Sequence, residues 1–253
     1  MAIIRNKTID RQLSSADLFC NMSPGKAFRI IETYKNIRTS LLFTLSSGHD
    51  NAFVVTSAEP NSGKSVTSAN LALSFAQNGT RVLLIDCDMR NPSQQKIFEK
   101  ENNTGLSDVL AGMTSFADAV KHDVKENLDL LTAGPTPPNP SELLSSDRMK
   151  SFVESCADYY DYVIIDTPPI NTVADAQIAA AYVDGVVLVA KSGYTSADEL
   201  MAAIDAVHQV GGNLCGVVLN DLNMKSVKYS YKYKYGDKYG YKYGYSDAYE
   251  THK

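Results

Sequence analysis

The sequence predicts an α/β fold, a mostly parallel sheet with helices on both faces. Two observations carry this. Short Val/Ile/Leu-rich runs alternate with helix-like stretches between residues 53 and 220. Continuous apolar strands of this kind are what a sheet buried on both faces requires. In addition, three of the runs end on polar residues: the first opens into AEPNSGKS at 58–65, the second into DCDMR at 86–90, and the third into DTPP at 166–169. Ligands of such sheets collect at the carboxyl ends of the strands, so these endings mark one edge as the site.

The first ending says most. An apolar β-branched run at 53–56 precedes the loop and a helix-like run at 66–77 follows it. Strand, tight loop and helix form the context of a phosphate-binding loop, which places the sheet in the P-loop NTPase class. A helix N-terminus leaves backbone N–H groups unpaired and carries partial positive charge, so it attracts phosphate. Gly63 allows close backbone approach, Lys64 adds a cation for the β/γ-phosphates, and the Ser65 hydroxyl can ligate Mg²⁺. Ala58 stands where the usual pattern has its first glycine. The expected nucleotide contacts are Pro60, Asn61, Ser62, Gly63, Lys64, Ser65 and Val66, with Asn220 at the end of the last strand. An apolar run that stops on an aspartate beside bound phosphates is suited to holding hydrated Mg²⁺. Each of Asp86, Asp88 and Asp166 alone could be a cap or turn residue. Together with Lys64 and Ser65 they point to a metal site.

The remaining elements follow in order. Residues 1–25 are polar and irregular and read as an arm. Residues 26–45 form an amphipathic helix, with Phe28, Ile31, Ile37, Leu41 and Leu45 at roughly helical spacing. Glu32, Lys35 and Arg38 fall three apart and share one face. Further strands are expected at 81–86, 128–132, 162–166, 185–190 and 216–220. Short helices are expected across 94–121 with a break at Gly112, and others near 145–157, 174–182 and 195–210. A proline-rich loop occupies 134–140.

Composition narrows the class. No run reaches the roughly 18 apolar residues of a membrane helix, and the start is too short in apolar residues for a signal peptide. Cys20, Cys87, Cys156 and Cys215 are scattered, which suits a reducing cytosol and argues against zinc. Cys87 reads as a small filler. His49, His122, His208 and His252 show no catalytic or metal spacing.

The tail, 224–253, is different. Nine of the fifteen tyrosines lie there: Tyr229, Tyr231, Tyr233, Tyr235, Tyr239, Tyr241, Tyr243, Tyr245 and Tyr249. Residues 225–253 hold seven lysines and three acids, a charge of +4 against −5 for the whole chain. A segment with no Leu, Ile or Phe cannot bury a core. It could bind single-stranded nucleic acid by stacking and phosphate contacts, act as a linker, or serve as a multiply phosphorylated substrate. If the strand at 216–220 is parallel to the rest, the tail leaves from beside the phosphate loop.

Across residues 26–253 the chain resembles the bacterial protein-tyrosine kinases of capsule and exopolysaccharide systems. The resemblance rests on VVTSAEPNSGKS, LLIDCDMRNP, PPNPSELL at 137–144, YDYVIIDTPPI, DGVVLVAKSGYTS and the terminal tyrosines. It implies a kinase domain at 26–223 followed by a flexible acceptor tail, ATP and Mg²⁺ as cofactors, and the nine tail tyrosines as acceptors phosphorylated by another copy. Asp86 or Asp88 would accept the tyrosine proton, with Asp86 favoured. Glu32, Lys35 and Arg38 match the family's helical E-x-x-R-x-x-R pattern, implying ring-like self-association on the scale of an octamer. Lys35 in place of arginine cannot make a bidentate pair. Asn61 replaces a glycine that usually follows the loop's proline, and Asn tolerates positive φ better than most residues. The family further implies a cytoplasmic chain recruited to the inner membrane face by a membrane activator with a cytosolic tail. It also implies a phosphotyrosine phosphatase as partner, and no nucleic acid.

Two rivals remain open. A chromosome-partition or division-site ATPase shares the fold, but carries a second lysine where this chain has Glu59. A nucleic-acid-binding protein using the Tyr/Lys tail predicts salt-dependent binding lost on deleting 225–253.

Overall fold

The computed structural model describes residues 24–45 and 51–222. Most of the arm and the whole tyrosine-rich tail, with its nine proposed acceptors, lie outside the described residues. Helix α1 spans Pro24–Thr44. The alternating part then runs β1 Ala52–Ser57, α2 Lys64–Ala76, β2 Val82–Asp86 and three short helices, α3 Gln94–Ile97, α4 Leu106–Ala111 and α5 Phe116–Ala119. It continues through β3 Lys121–Lys125, β4 Leu128–Leu131, α6 Pro140–Leu144, α7 Asp147–Tyr159 and β5 Tyr162–Asp166. It closes with α8 Asp175–Ala180, β6 Gly185–Lys191, α9 Ala197–Gln209 and β7 Leu214–Asn220.

The strands form one sheet in the order β3-β4-β2-β5-β1-β6-β7. Every pairing is parallel except β3 with β4. Alternate residues of each central strand feed opposite cores. Phe53, Val55, Leu84 and Ile164 pack with Ile30, Tyr34, Leu41 and Phe75 of α1 and α2. Val54, Leu83, Ile85 and Ile165 pack with Met149, Val153, Ala179 and Val207 of α7, α8 and α9. Burial on both faces explains why the strands read as unbroken apolar runs.

One expectation needs correction, and two further elements are present. Phe28 is 64% exposed, and the inward face of α1 includes Ile30, Tyr34 and Leu41, with buried Leu45 just past its end. Phe28 precedes Ile30 by two residues, which turns it about 200° around the helix. The stretch read as short helices up to 121 gives way to an edge strand, β3. Its sequence KHDVK is polar, and only Val124 is buried, so no period marked it. The helix expected near 145–157 is α7, and a further short helix, α6, precedes it. Pro140 starts α6, and the Ser146 hydroxyl then caps α7 by accepting from Met149 N–H.

Candidate active site

The strand order brings the three polar endings together, because β5 lies between β1 and β2 and the phosphate loop follows β1. Gly63 caps α2 with φ +91° and no side-chain hydrogen bond, so the helix N-terminus is open to an anion. Asn61 adopts φ +61°, as its tolerance for that region allowed. The loop is braced from outside. Asn220 Nδ2 donates to Ser62 O at 3.0 Å and Lys191 Nζ to Asn61 O at 3.3 Å. A Cβ on Gly63 would stand 2.1 Å from Asn220 Nδ2, so only glycine fits. The Val66 side chain packs against the α1/α2 core, leaving its backbone as the part near the loop.

Asp86 and Asp166 are register partners across β2 and β5, and both are fully buried. Asp86 accepts three backbone N–H groups, from Asp88 at 3.1 Å and from Ser93 and Gln94 at 2.9 Å each. Asp88 accepts Asn91 N–H at 3.0 Å on one oxygen and Lys64 Nζ at 2.9 Å on the other. Asp166 accepts the Ser68 hydroxyl at 3.1 Å and Gln94 Nε2 at 2.7 Å. Burial first, then the charge of Asp166, pushes Asp86 up to about 7. Burial also raises Asp166, with Lys64 opposing it. Burial works against the Lys64 ammonium, but the carboxylates of Asp166 and Asp88 outweigh it and its pKa rises.

A family model described as an AAA domain matches residues 54–215. Tyrosine-protein kinase YwqD of Bacillus subtilis is 44% identical over 201 residues, which are 79% of this chain and 85% of that protein. The kinase domain of Escherichia coli tyrosine kinase ETK superposes with a TM-score of 0.74 at 38% identity, over 76% of this chain and 75% of that one. The chain belongs to the bacterial tyrosine-protein kinase family. Its enzyme class is therefore protein-tyrosine kinase. The septum site-determining protein MinD of Pyrococcus horikoshii is also similar, with a TM-score of 0.58 over 68% of this chain and 70% of that one. At 23% identity that likeness shows the shared fold alone.

In this tyrosine-protein kinase the donor set fits Mg²⁺. Three buried carboxylates face one ammonium, so the cluster carries more negative than positive charge and suits a divalent cation. Among the described residues no cluster of acid, histidine and cysteine side chains closes around a metal by itself. Phosphate oxygens and water would complete a magnesium shell, as is usual for this ion.

Reading the sequence missed several residues here. Gln94 is fully buried, and its amide nitrogen joins Asp166 to Ser65 O, the latter at 3.0 Å. Ser68 and Lys191 also escaped notice. A single glutamine eight residues past an aspartate carries no spacing signal. Ser68 does lie one helical turn beyond Lys64, a face that could have been checked. Of the proposed self-association residues, Lys35 pairs with Glu32 at 2.8 Å, both nearly half exposed. Arg38 instead donates to the Ser74 carbonyl of α2, so the three side chains do not present one uniform charged face.

Proposed function

We propose that this chain transfers the γ-phosphoryl group of ATP to tyrosines of the C-terminal cluster on another copy, and thereby regulates capsular or exopolysaccharide synthesis or export. The observation that carries the reading is the position of β7. It runs parallel to β6 and ends at Asn220, in contact with the phosphate loop. Asn220, four residues before the tyrosine-rich segment in sequence, therefore stands at the catalytic edge. Twenty extended residues reach roughly 65 Å, enough to enter a neighbouring subunit's site.

The geometry supports the following roles for the site residues. The open N-terminus of α2, the N–H groups of residues 60–66 and Lys64 bind the phosphates. Ser65, Asp88 and Asp166 hold Mg²⁺, which when bound neutralises charge on the transferring group. Tyrosine is protonated at neutral pH, since its pKa is about 10, so a carboxylate beside it must take the proton. The hydrogen bonds support Asp88 over Asp86 in this role, because Asp86 is occupied by three backbone N–H groups. Asn220 lines the nucleotide side, and Glu32, Lys35 and Arg38 support a ring-like oligomer. A membrane activator recruits the chain to the inner membrane face, and a phosphotyrosine phosphatase resets it. Nucleic acid is not a partner.

Phosphorylation reverses the tail's charge. Each phosphotyrosine adds about −1.5 to −2, so nine would take the tail from +4 to roughly −10 to −14. Repulsion from the acidic body then expels the tail and loosens the ring. Incubation with Mg·ATP and anti-phosphotyrosine detection, beside Lys64→Ala, tests the activity. If neither protein is labelled with an activator tail supplied, the kinase reading fails. Mixing Lys64→Ala with a tailless active chain tests transfer between subunits, because the label must then appear on the inactive partner. Size-exclusion chromatography before and after ATP treatment tests the ring, and an unchanged oligomer would count against its release.

A further inference from the structure

Arg90 and the segment 137–144 have no part in the site described so far, yet they meet. Arg90 Nε donates to Asp175 Oδ2 at 2.9 Å and Nη2 to Asp175 Oδ1 at 3.3 Å. The same Nη2 reaches Ser141 Oγ at 2.9 Å, and that hydroxyl donates to Asp175 Oδ1 at 2.5 Å. Asp175 is fully buried in the first turn of α8, while the Arg90 side chain is 42% exposed. Ser141 lies in the first turn of α6, just after Pro140. A two-pronged guanidinium–carboxylate pair with a hydroxyl wedged beside it fixes both distance and angle, which a single ammonium contact cannot.

What this pair holds is the loop carrying Asp88. Asp86 ties the loop at both ends by accepting from Asp88 N–H and from Ser93 and Gln94 N–H. Between those points the loop turns outward, and Arg90 fastens the turn to α6 and α8. Arg90 stands two residues from Asp88, whose two oxygens face Asn91 N–H and Lys64. Loosening Arg90 frees the backbone that aims Asp88. Residues that orient a metal's ligands are commonly worth 10–100-fold in metal affinity or activity, as an order of magnitude.

We propose that Arg90 is a positioning residue for the kinase reaction, clamped by Asp175 and Ser141 so that Asp88 is held at the magnesium site. The proposal rests on the kinase reading above. It also gives the segment 137–144 a task, since Ser141 completes the clamp.

The test uses the full chain, with Arg90→Lys and Ser141→Ala. Fluorescent mant-ADP is titrated with and without Mg²⁺, and tyrosine phosphorylation is followed separately. Arg90→Lys should bind mant-ADP without Mg²⁺ within about twofold of wild type, lose at least about fivefold of the affinity gained with Mg²⁺, and phosphorylate at least about tenfold more slowly. Ser141→Ala should move both Mg²⁺-linked readings the same way by about two- to threefold. An unchanged Mg²⁺ gain in Arg90→Lys overturns the proposal, as does an equal loss with and without Mg²⁺, which marks a structural brace only. If Arg90→Lys fails to fold, Ser141→Ala decides alone by the same criteria. If wild type binds Mg·mant-ADP but labels no tyrosine, the kinase reading fails while the Mg²⁺ titration still judges the clamp.

Discussion

Replacing Lys64 by methionine removes one ammonium from among three carboxylates, and the cost of that change should rise with pH. Lys64 Nζ lies 2.9 Å from Asp88 Oδ2, with the two side chains 13% and 5% exposed. Deleting one partner of a buried pair costs about 3–5 kcal/mol, because the surviving charge is left uncompensated. Protonation of the carboxylates limits the loss where it is available. Asp86 titrates at about 7 in the folded chain against 3.8 ordinarily. An acid raised on folding is neutral in both states below its unfolded pKa and imposes no penalty there. The penalty grows as pH climbs toward the folded pKa and is complete above it. Asp166 shifts in the same direction and is held back by Lys64, so losing Lys64 carries its penalty to higher pH. The raised pKa of Lys64 itself acts only in the alkaline range, where that ammonium's stabilisation is lost as pH rises. Urea melts of nucleotide-free protein at pH 6 and pH 8 read the difference. Lys64→Met should be destabilised by about 1–2 kcal/mol at pH 6 and by about 3–5 kcal/mol at pH 8. A difference below about 0.5 kcal/mol at both, or equal at both, would refute the account of charge in this site.

Three other outcomes follow from the same geometry. Gly63→Ala places a Cβ 2.1 Å from Asn220 Nδ2 at φ +91°, so mant-ADP affinity should fall at least about tenfold, since strain at such φ alone costs of order 1–3 kcal/mol. Asp184 Oδ2 accepts Asn51 N–H at 2.9 Å and Ala52 N–H at 2.8 Å, so Asp184→Ala should lower stability in urea by about 1–3 kcal/mol. Lys35 pairs with Glu32 through one nitrogen. Lys35→Arg should restore a two-pronged contact and shift self-association to lower protein concentration in analytical ultracentrifugation, and an unchanged or weaker oligomer would remove this position from the interface.

Much of this fold was legible because each central strand is buried on both faces. That burial leaves runs such as VLLID and YVIID, which no other element explains as well. The edge was harder to read. β3 buries one residue of five, so physics placed no pattern in it, and its pairing with β4 supplies what its sequence lacks. In the site, residues carried by a motif were visible: Gly63, Lys64, Ser65 and the three aspartates. Residues that hold those in place were not. Gln94, Ser68, Arg90 and Asp175 act on groups far away in sequence, with Gln94 bonding Asp166 across 72 positions and Arg90 bonding Asp175 across 85. Only the order of the strands brings such pairs together, and strand order is not written in local periodicity.

The two aspartates of the second motif illustrate that limit and its resolution. Spacing makes Asp86 and Asp88 equivalent candidates for the tyrosine's proton, and a pKa near 7 at Asp86 would by itself favour that residue as a base. Geometry argues the other way. The Asp86 carboxylate accepts three backbone N–H groups and is fully buried, so it closes the loop on itself and offers no free oxygen to a substrate. Its raised pKa comes first from that burial and then from the facing charge of Asp166. Asp88 has one oxygen on Asn91 N–H, while its other oxygen meets the flexible end of Lys64. On the proposed reading, phosphates at the open end of α2 would compete for that ammonium, and drawing it away would free the Asp88 oxygen for magnesium or for the tyrosine proton. On that reading Lys64 serves twice: it keeps Asp88 occupied in the empty site and would neutralise phosphate in the filled one.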